Sequence, residues 1–405
     1  MLTATMPRPQ PRPQDRPHAG TAPPALITAT DALAALCERL QAEEFVTVDT
    51  EFMRERTYFP ELCVVQLAGD AEIAVVDAQA EGLDLAPLGA LLAAPGVLKV
   101  FHAARQDNEI FLYRFGAVPT PLFDTQVAAM VAGFGDQVGY DALVAALTGG
   151  HIDKAHRFSD WAARPLSAAQ IAYAAADVTH LRGVYRRLRA RLEKDGRLDW
   201  VAAEMASLAD PATYRADPDQ MWERLRPRTA NRRLLGVLRA VAAWREREAQ
   251  RVNIPRQRLL KDEALLEIAA TAPETPEALA RARGVTRGFA EGKSGASLLV
   301  AINEARALPP DALPPAPAVR DNSRASPALV SLLKVLLAAK SEQHHVAPKL
   351  LASSEEIERL AGEDSPDLPA LQGWRRTVFG EDALALKEGR IALSVEGKRI
   401  KLLTL

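Results

Sequence analysis

The chain has 405 residues, more than a single hydrophobic core usually supports, so we expect two or three domains. With 48% hydrophobic residues, 25% charged residues and a net charge of -2, the composition fits a soluble globular protein, and the net charge alone does not indicate a nucleic-acid partner. The two cysteines argue against a disulfide framework and the lack of an apolar run of about 20 residues against a membrane span, so we expect a cytoplasmic protein.

Residues 1–24 are rich in Pro and Arg and contain almost no large apolar side chain, which predicts a disordered tail. A helical pattern starts near Asp31, and the apolar run from Phe45 to Val48 predicts a strand. Further strands are predicted at 62–67, 73–76 and 98–101. Because strands alternate with helices, an α/β domain is expected over residues 25–208.

The chain becomes mostly helical from Thr125 onward, with a long amphipathic segment at 167–191. A small helical module is predicted at 220–305, followed by a Pro-rich linker at 306–324 and a second helical module at 325–405. The tail at 391–402 has a β pattern, and the sequence leaves open whether it pairs as a hairpin.

Two acids, Asp49 and Glu51, follow the first apolar strand and stand two residues apart. Side chains at this spacing leave the same face of a strand, so both carboxylates could converge on one cation. Buried carboxylates are costly unless a metal or a cationic partner compensates them. For this pair alone, a structural or solvated role remains an alternative.

A third acid, Asp107, stands near the start of the helix that follows the strand at 98–101. It could join the first two acids, or it could simply complement the helix dipole. His102 is interpreted as a packed histidine in preference to a metal ligand. Asp124 is expected to cap a helix and not to be a further ligand.

Tyr173 and Asp177 stand four residues apart on the long helix, with only small residues between them. This spacing places both on one helical face and allows close approach to another element. An aspartate beside a phenol can hold a cation and orient an attacking water. The alternative is a core tyrosine next to a solvated aspartate.

Taken together, the motifs resemble those of the DEDDy family of 3′-5′ exonucleases in order, spacing and residue type. The matching segments are Val48-Asp49-Thr50-Glu51, Phe101-His102-Ala103-Ala104-Arg105-Gln106-Asp107 and Tyr173-x-x-x-Asp177. Ala172 stands where the histidine subtype of the family has its histidine, so the tyrosine subtype is indicated. The helical modules resemble HRDC domains, the first more closely than the second.

The resemblance implies a ribonuclease H-like α/β exonuclease domain, a mixed sheet flanked by helices, followed by two small all-α HRDC domains. It also implies a metal-dependent 3′-5′ exoribonuclease. Asp49 would bridge two Mg²⁺ or Mn²⁺ ions, Glu51 and Asp177 would hold the ion beside the attacking water, and Asp107 would support the other. Tyr173 would orient that water. Hard oxygen ligands suit these ions, whereas no His and Cys cluster suggests zinc.

Four residues between the second and third motifs could contact RNA phosphates: Lys154, Arg157, Trp161 and Arg164. Arg164 could instead pair with an acid. Arginines crowd residues 186–191 and 224–239, where they could form a phosphate-binding surface or merely solvate helices. The expected partner is RNA with a free 3′ end, such as a transfer RNA precursor, and the expected state is a monomer.

Two other functions remain open at this point. One is a DNA 3′-5′ exonuclease, because the carboxylates do not distinguish the two sugars, and digestion of RNA and DNA strands side by side would decide it. The other is a nucleic-acid-binding protein with an inert nuclease fold. The complete set of four acids and Tyr173 counts against the inert protein.

Overall fold

The structure is a computed structural model that describes residues 24–153, 155–315 and 325–405. The predicted tail before Pro24 and residues 316–324 of the predicted linker lie outside these ranges. The described residues form two compact units, the first with residues 24–51, 62–209 and 338–351, and the second with 52–61, 210–315, 325–337 and 352–405. Within the described ranges, no helix is long and apolar enough to cross a membrane.

A six-stranded mixed sheet forms the core of the first unit, in the order β1-β4-β3-β2-β5-β6. The strands are β1 Ala25–Ile27, β2 Phe45–Met53, β3 Glu61–Ala68, β4 Ile73–Asp77, β5 Leu98–Phe101 and β6 Leu122–Asp124. Parallel pairs join β2 to β5, β5 to β6 and β1 to β4, whereas β3 and β4 are antiparallel. The sequence did not predict β1 and β6, because three residues are too few to show a strand pattern.

Helices flank the sheet, so its strands are nearly continuously apolar and buried, as in Val64 and Val65 of β3. The helices of this region are α1 Thr30–Leu40, α2 Ala86–Ala93, α3 Arg105–Phe115, α4 Thr125–Val131, α5 Tyr140–Thr148, α6 Ala168–Lys194 and α7 Leu198–Ala209. The predicted alternation of strands and helices is therefore present.

The long helix α6 packs against the sheet and carries the third motif. It begins with a capping box in which the Ser167 side chain accepts from the Gln170 backbone N–H and the Gln170 side chain accepts in return. Its buried face includes Ala174, Val178 and Leu181. Thr47 of β2 donates a hydrogen bond to the Val178 carbonyl at 2.8 Å, which fixes α6 against the strand of the first motif.

The second unit has a helical core built around α8. Its first helices are α8 Arg232–Val252, α9 Arg256–Leu259, α10 Asp262–Thr271, α11 Pro276–Leu279, α12 Arg287–Glu291 and α13 Lys293–Ala307. Leu235, Val241, Leu265 and Ile302 are fully buried between them. The cluster is one apolar core, as expected for a small helical module.

Part of the predicted linker packs against this core. Leu313 is buried, and a Cβ added to Gly236 of α8 would lie 2.8 Å from the end of the Leu313 side chain, which would then have to shift. Arg232 donates to the carbonyls of Leu313 and Pro314. The described start of the linker is therefore held in place by α8.

The C-terminal region contains helices and a β-hairpin. The elements are α14 Pro327–His344, α15 Pro348–Leu351, α16 Ser354–Gly362, α17 Gly373–Arg375, α18 Glu381–Lys387, β7 Ile391–Glu396 and β8 Arg399–Thr404. The two strands pair antiparallel from Ile391 opposite Thr404 to Glu396 opposite Arg399. The sequence indicated the β pattern but left its pairing open, and the structure shows that the two strands form a hairpin.

Candidate active site

The acids of the first and third motifs meet in one place. Asp49 and Glu51 lie on β2, and Asp177 lies on α6, one turn after Tyr173. One carboxylate oxygen from each of the three acids lies within 4.8 Å of the other two. Asp49 and Glu51 share one face of β2 because side chains alternate along a strand, and the packing of α6 against the sheet brings Asp177 to them. These three acids therefore lie close together, as predicted.

Asp107, the acid of the second motif, lies in the first turn of α3 and is 6% exposed. Thr50, which stands between the first two acids, donates a hydrogen bond from Oγ1 to Asp107 Oδ1. Asp107 is not one of the three acids that share the 4.8 Å group, but its charge helps to raise the pKa of Asp49. All four acids therefore belong to one electrostatic cluster.

Burial and mutual repulsion keep these carboxyl groups from ionising freely. Burial, followed by the charges of Asp107, Asp177 and Glu51, holds the pKa of Asp49 well above its usual range. Burial and two neighbouring acids raise the pKa of Glu51 to about 8. Burial raises the pKa of Asp107 to about 6 and that of Asp177 to about 7, although hydrogen bonds from Thr50 and Tyr173 oppose the two shifts.

This donor set fits a divalent cation. Burial and neighbouring acids raise the pKa of these carboxyls, and hydrogen bonds from Thr50, Tyr173 and the backbone oppose the shifts. Clustered carboxylates need positive charge close by in order to ionise together. Oxygen-only ligands of this kind suit hard ions such as Mg²⁺ and Mn²⁺.

Tyr173 stands beside the acids as a neutral phenol. Burial, then the charges of Asp177, Glu51 and Asp49, raise the pKa of Tyr173, and the positive charge of Arg157 opposes them. The ring of Trp161 lies 6.1 Å from the Tyr173 ring and supports it from the side. A protonated phenol next to Asp177 can position a water by hydrogen bonding.

A further tyrosine, which the sequence did not single out, also holds the site. Tyr140, at the start of α5, donates a hydrogen bond to the backbone carbonyl of Asp177. Its ring lies 5.2 Å from that of His102, whose Nδ1 is 3.0 Å from Thr125 Oγ1. His102 is therefore a packed histidine, as predicted. No local pattern marks Tyr140, because its partner is distant in sequence.

Asp124 caps α4, as predicted. Its carboxylate accepts hydrogen bonds from the backbone N–H groups of Gln126 and Val127, and also from those of Ala103 and Ala104. The second pair of bonds fixes the turn between β5 and the helix that carries Asp107. Asp124 therefore holds the backbone near Asp107 in place, and its carboxylate is engaged by four backbone N–H groups.

The four predicted RNA contacts differ in their surroundings. Lys154 lies outside the described residues, and Arg157 is exposed. Trp161 is only 3% exposed, so its burial does not support an RNA contact. Arg164 forms an ion pair with Asp77 at 2.6 Å and donates to three backbone carbonyls, which favours the structural alternative named for it.

The crowded arginines likewise bond mainly to protein groups. Arg186 pairs with Asp70, Arg189 with Glu44 at 2.7 Å and Arg191 with Asp195 at 3.8 Å. In the second unit, Arg233 donates to the carbonyls of Arg306 and Leu308, and Arg239 to that of Ala312. These contacts give the named arginines a structural role within their own units, and a phosphate-binding surface at these positions stays a prediction.

The fold and the acidic site define a 3′-5′ exonuclease with an HRDC domain. Residues 24–193 match a family model described as 3′-5′ exonuclease, and residues 235–302 match the model of the HRDC domain. Ribonuclease D of Granulibacter bethesdensis is 72% identical over 382 residues, which cover 94% of this chain and 97% of that protein. Ribonuclease D of Acidiphilium cryptum is 66% identical over the same shares of the two chains. The chain belongs to the ribonuclease D family and is a 3′-5′ exoribonuclease.

The solved structures agree with this assignment. The crystal structure of Escherichia coli RNase D, an exoribonuclease involved in structured RNA processing, matches with a TM-score of 0.78 at 32% identity. The match covers 90% of this chain and 99% of that one. A protein from Bifidobacterium adolescentis shares the fold at 22% identity, with a TM-score of 0.66. The expected fold, an exonuclease domain followed by a helical HRDC domain, is confirmed, and the second HRDC-like domain stays a prediction.

Proposed function

We propose that this exoribonuclease hydrolyses RNA one nucleotide at a time from the 3′ end, releasing nucleoside 5′-monophosphates with two Mg²⁺ or Mn²⁺ ions. The observation that carries the proposal is the approach of Asp49, Glu51 and Asp177 to within 4.8 Å in a cluster where burial raises the pKa of each acid. Repulsion from neighbouring acids adds to the shifts of Asp49 and Glu51. Such a cluster is stable in its ionised form only with bound cations.

Each acid has a distinct place in this proposal. Asp49, whose pKa responds to all three other acids, is suited to bridge both ions. Glu51 and Asp177 would hold the ion next to the attacking water, and Asp107 would support the other. When bound, the ions supply charge that stabilises the attacking and leaving oxygens. Tyr173, kept neutral by its acidic neighbours, would orient the attacking water.

The proposed substrates are RNAs with a free 3′ end, including transfer RNA precursors. Resemblance of the motifs supports this choice, as does the structured RNA processing stated for the Escherichia coli protein. Arg157, exposed beside Tyr173, is suited to contact a phosphate, and Lys154 is proposed to do the same. We further propose a cytoplasmic monomer in which residues 25–208 carry the chemistry. HRDC modules at 220–305 and 325–405, joined through the linker at 306–324, would assist RNA binding.

The test compares wild-type protein with Asp49→Asn and Asp177→Asn on 3′-extended transfer RNA, with Mg²⁺, with Mn²⁺ and with EDTA. Release of nucleoside 5′-monophosphates is expected only from the wild type with a divalent ion, and each variant is expected to lose at least about 10²-fold in rate. Asp136→Asn, an exposed acid in the same unit, is the matched control and should keep full activity. Full activity in either site variant would refute the proposal.

The same assay identifies the preferred sugar. RNA and DNA strands of one sequence are digested in parallel, and the RNA is expected to be degraded faster, because a ribonuclease gains contacts to the 2′-hydroxyl. Faster degradation of the DNA strand would instead support a DNA exonuclease.

A further inference from the structure

An aromatic ring is largely exposed in the loop segment at residues 155–167, which precedes α6. Phe158 is 90% exposed, the largest fraction among the exposed large hydrophobic side chains in the described ranges. Tyr113 on α3 follows among the aromatics with 53%. Single exposed hydrophobic residues are common on protein surfaces, so exposure alone assigns no role to Phe158. The residues next to Phe158 in the loop indicate its role.

The segment that carries Phe158 also contacts Tyr173. The ring of His156, two residues earlier, lies 6.3 Å from the ring of Tyr173 in an edge-on arrangement. The guanidinium carbon of Arg157 lies 5.4 Å from the centre of the Phe158 ring. Phe158 therefore belongs to the segment that contacts Tyr173 through His156, and the Arg157 guanidinium lies against its ring.

The 3′ end of an RNA substrate carries bases and phosphates that Phe158 and Arg157 can bind. An RNA strand that enters with its 3′ end at the carboxylates carries unpaired bases on its last nucleotides and a negative charge between each of them. Any base can stack on an exposed aromatic ring, whatever the sequence, and an adjacent arginine can neutralise a phosphate. We infer that Phe158 and Arg157 form a stacking platform for one nucleobase of the RNA close to the scissile phosphate.

This inference rests on the proposed function and adds to it a means of holding the strand. The platform binds any base regardless of its identity, which suits an enzyme that removes successive nucleotides. Because the Phe158 ring packs against little of the protein, its removal should leave the fold unchanged and lower the affinity for RNA. The effect of the ring can therefore be separated from any effect on stability.

The experiment measures kcat/KM for a five-nucleotide RNA in the wild type and three variants. Phe158→Ala is expected to lower kcat/KM about tenfold, mainly through KM, because stacking of a base on an aromatic side chain contributes roughly five- to hundredfold in binding. Phe158→Trp should restore the wild-type value, and Tyr113→Ala, which removes an exposed aromatic ring outside this loop, should retain it. The melting temperature of Phe158→Ala should equal that of the wild type.

Abasic RNAs then test whether the ring contacts a base. Each RNA lacks one base among its last three nucleotides. In the wild type, one of these positions should lower kcat/KM about tenfold, and in Phe158→Ala the same position should cause no further loss. A Phe158→Ala value within twofold of the wild type on intact RNA, or an equal abasic penalty in both proteins, would overturn the inference. Failure of the proposed function would be seen separately, as full activity of Asp49→Asn.

Discussion

Replacing Asp177 by Asn is expected to stabilise the metal-free protein at neutral and alkaline pH. In the folded protein, burial raises the pKa of Asp177 from 3.8 to about 7. The unfolded chain keeps the ordinary value, so between these pH values the folded state binds a proton that the unfolded state releases. The contribution of Asp177 to the free energy of unfolding is fully present below about pH 4 and is lost as the pH rises through about 7.

The size of the effect follows from the same two values. The pKa difference of Asp177, from 3.8 to about 7, corresponds to at most about 4 kcal/mol in the free energy of unfolding, at roughly 1.4 kcal/mol for each pKa unit. The side chain is 8% exposed, so solvent screens this contribution little. Asn has nearly the same shape, can still accept from Tyr173 and does not ionise, so Asp177→Asn keeps the stability that the wild type loses.

The assay is urea unfolding followed by circular dichroism in EDTA, from pH 4.5 to 8.5. The free energy of unfolding of Asp177→Asn should exceed that of the wild type by an amount that grows with pH and levels off near pH 8. Asp136→Asn, an exposed acid, should follow the wild-type curve. Adding Mg²⁺ at pH 8 should stabilise the wild type more than Asp177→Asn. Parallel curves for wild type and Asp177→Asn at every pH would refute the reasoning.

Three further substitutions probe the proposed role of Tyr173 and two buried polar networks. Tyr173→Phe keeps the ring but removes the hydroxyl beside Asp177, so kcat on RNA should fall at least about 10²-fold with little change in KM. Asp124→Ala leaves four backbone N–H groups without their acceptor and should lower the free energy of unfolding by about 2–4 kcal/mol in urea titrations. In the second unit, Glu246→Ala removes the partner of Arg256 and of the Tyr58 hydroxyl, and should cost about 2 kcal/mol or more in the same measurement.

The controls for these variants are conservative changes. Asp124→Asn retains an acceptor oxygen and should recover part of the lost stability, and Glu246→Gln should do the same. Loss of activity in Tyr173→Phe through KM alone would contradict a role in the chemical step. Wild-type stability in Asp124→Ala or Glu246→Ala would show that water replaces the lost hydrogen bonds without cost.

The parts of the site that depend on local geometry were available in the sequence. Asp49 and Glu51 share a face because side chains alternate along a strand, and Tyr173 and Asp177 share a face because a helix turns every 3.6 residues. The Asp124 cap follows from the preference of aspartate for helix starts. Each of these relations lies within a few residues, where backbone geometry alone fixes the distance.

The parts that depend on distant partners were decided by the tertiary structure. Packing of α6 against β2 brought Asp177 to the first two acids, and the hydrogen bonds of Thr50 to Asp107 and of Tyr140 to Asp177 join segments that no local pattern relates. The ion pair of Arg164 with Asp77 likewise joins segments that are distant in sequence. Sequence spacing thus determined which side chains could act together, whereas the raised pKa values arose only when folding excluded water from charges of the same sign.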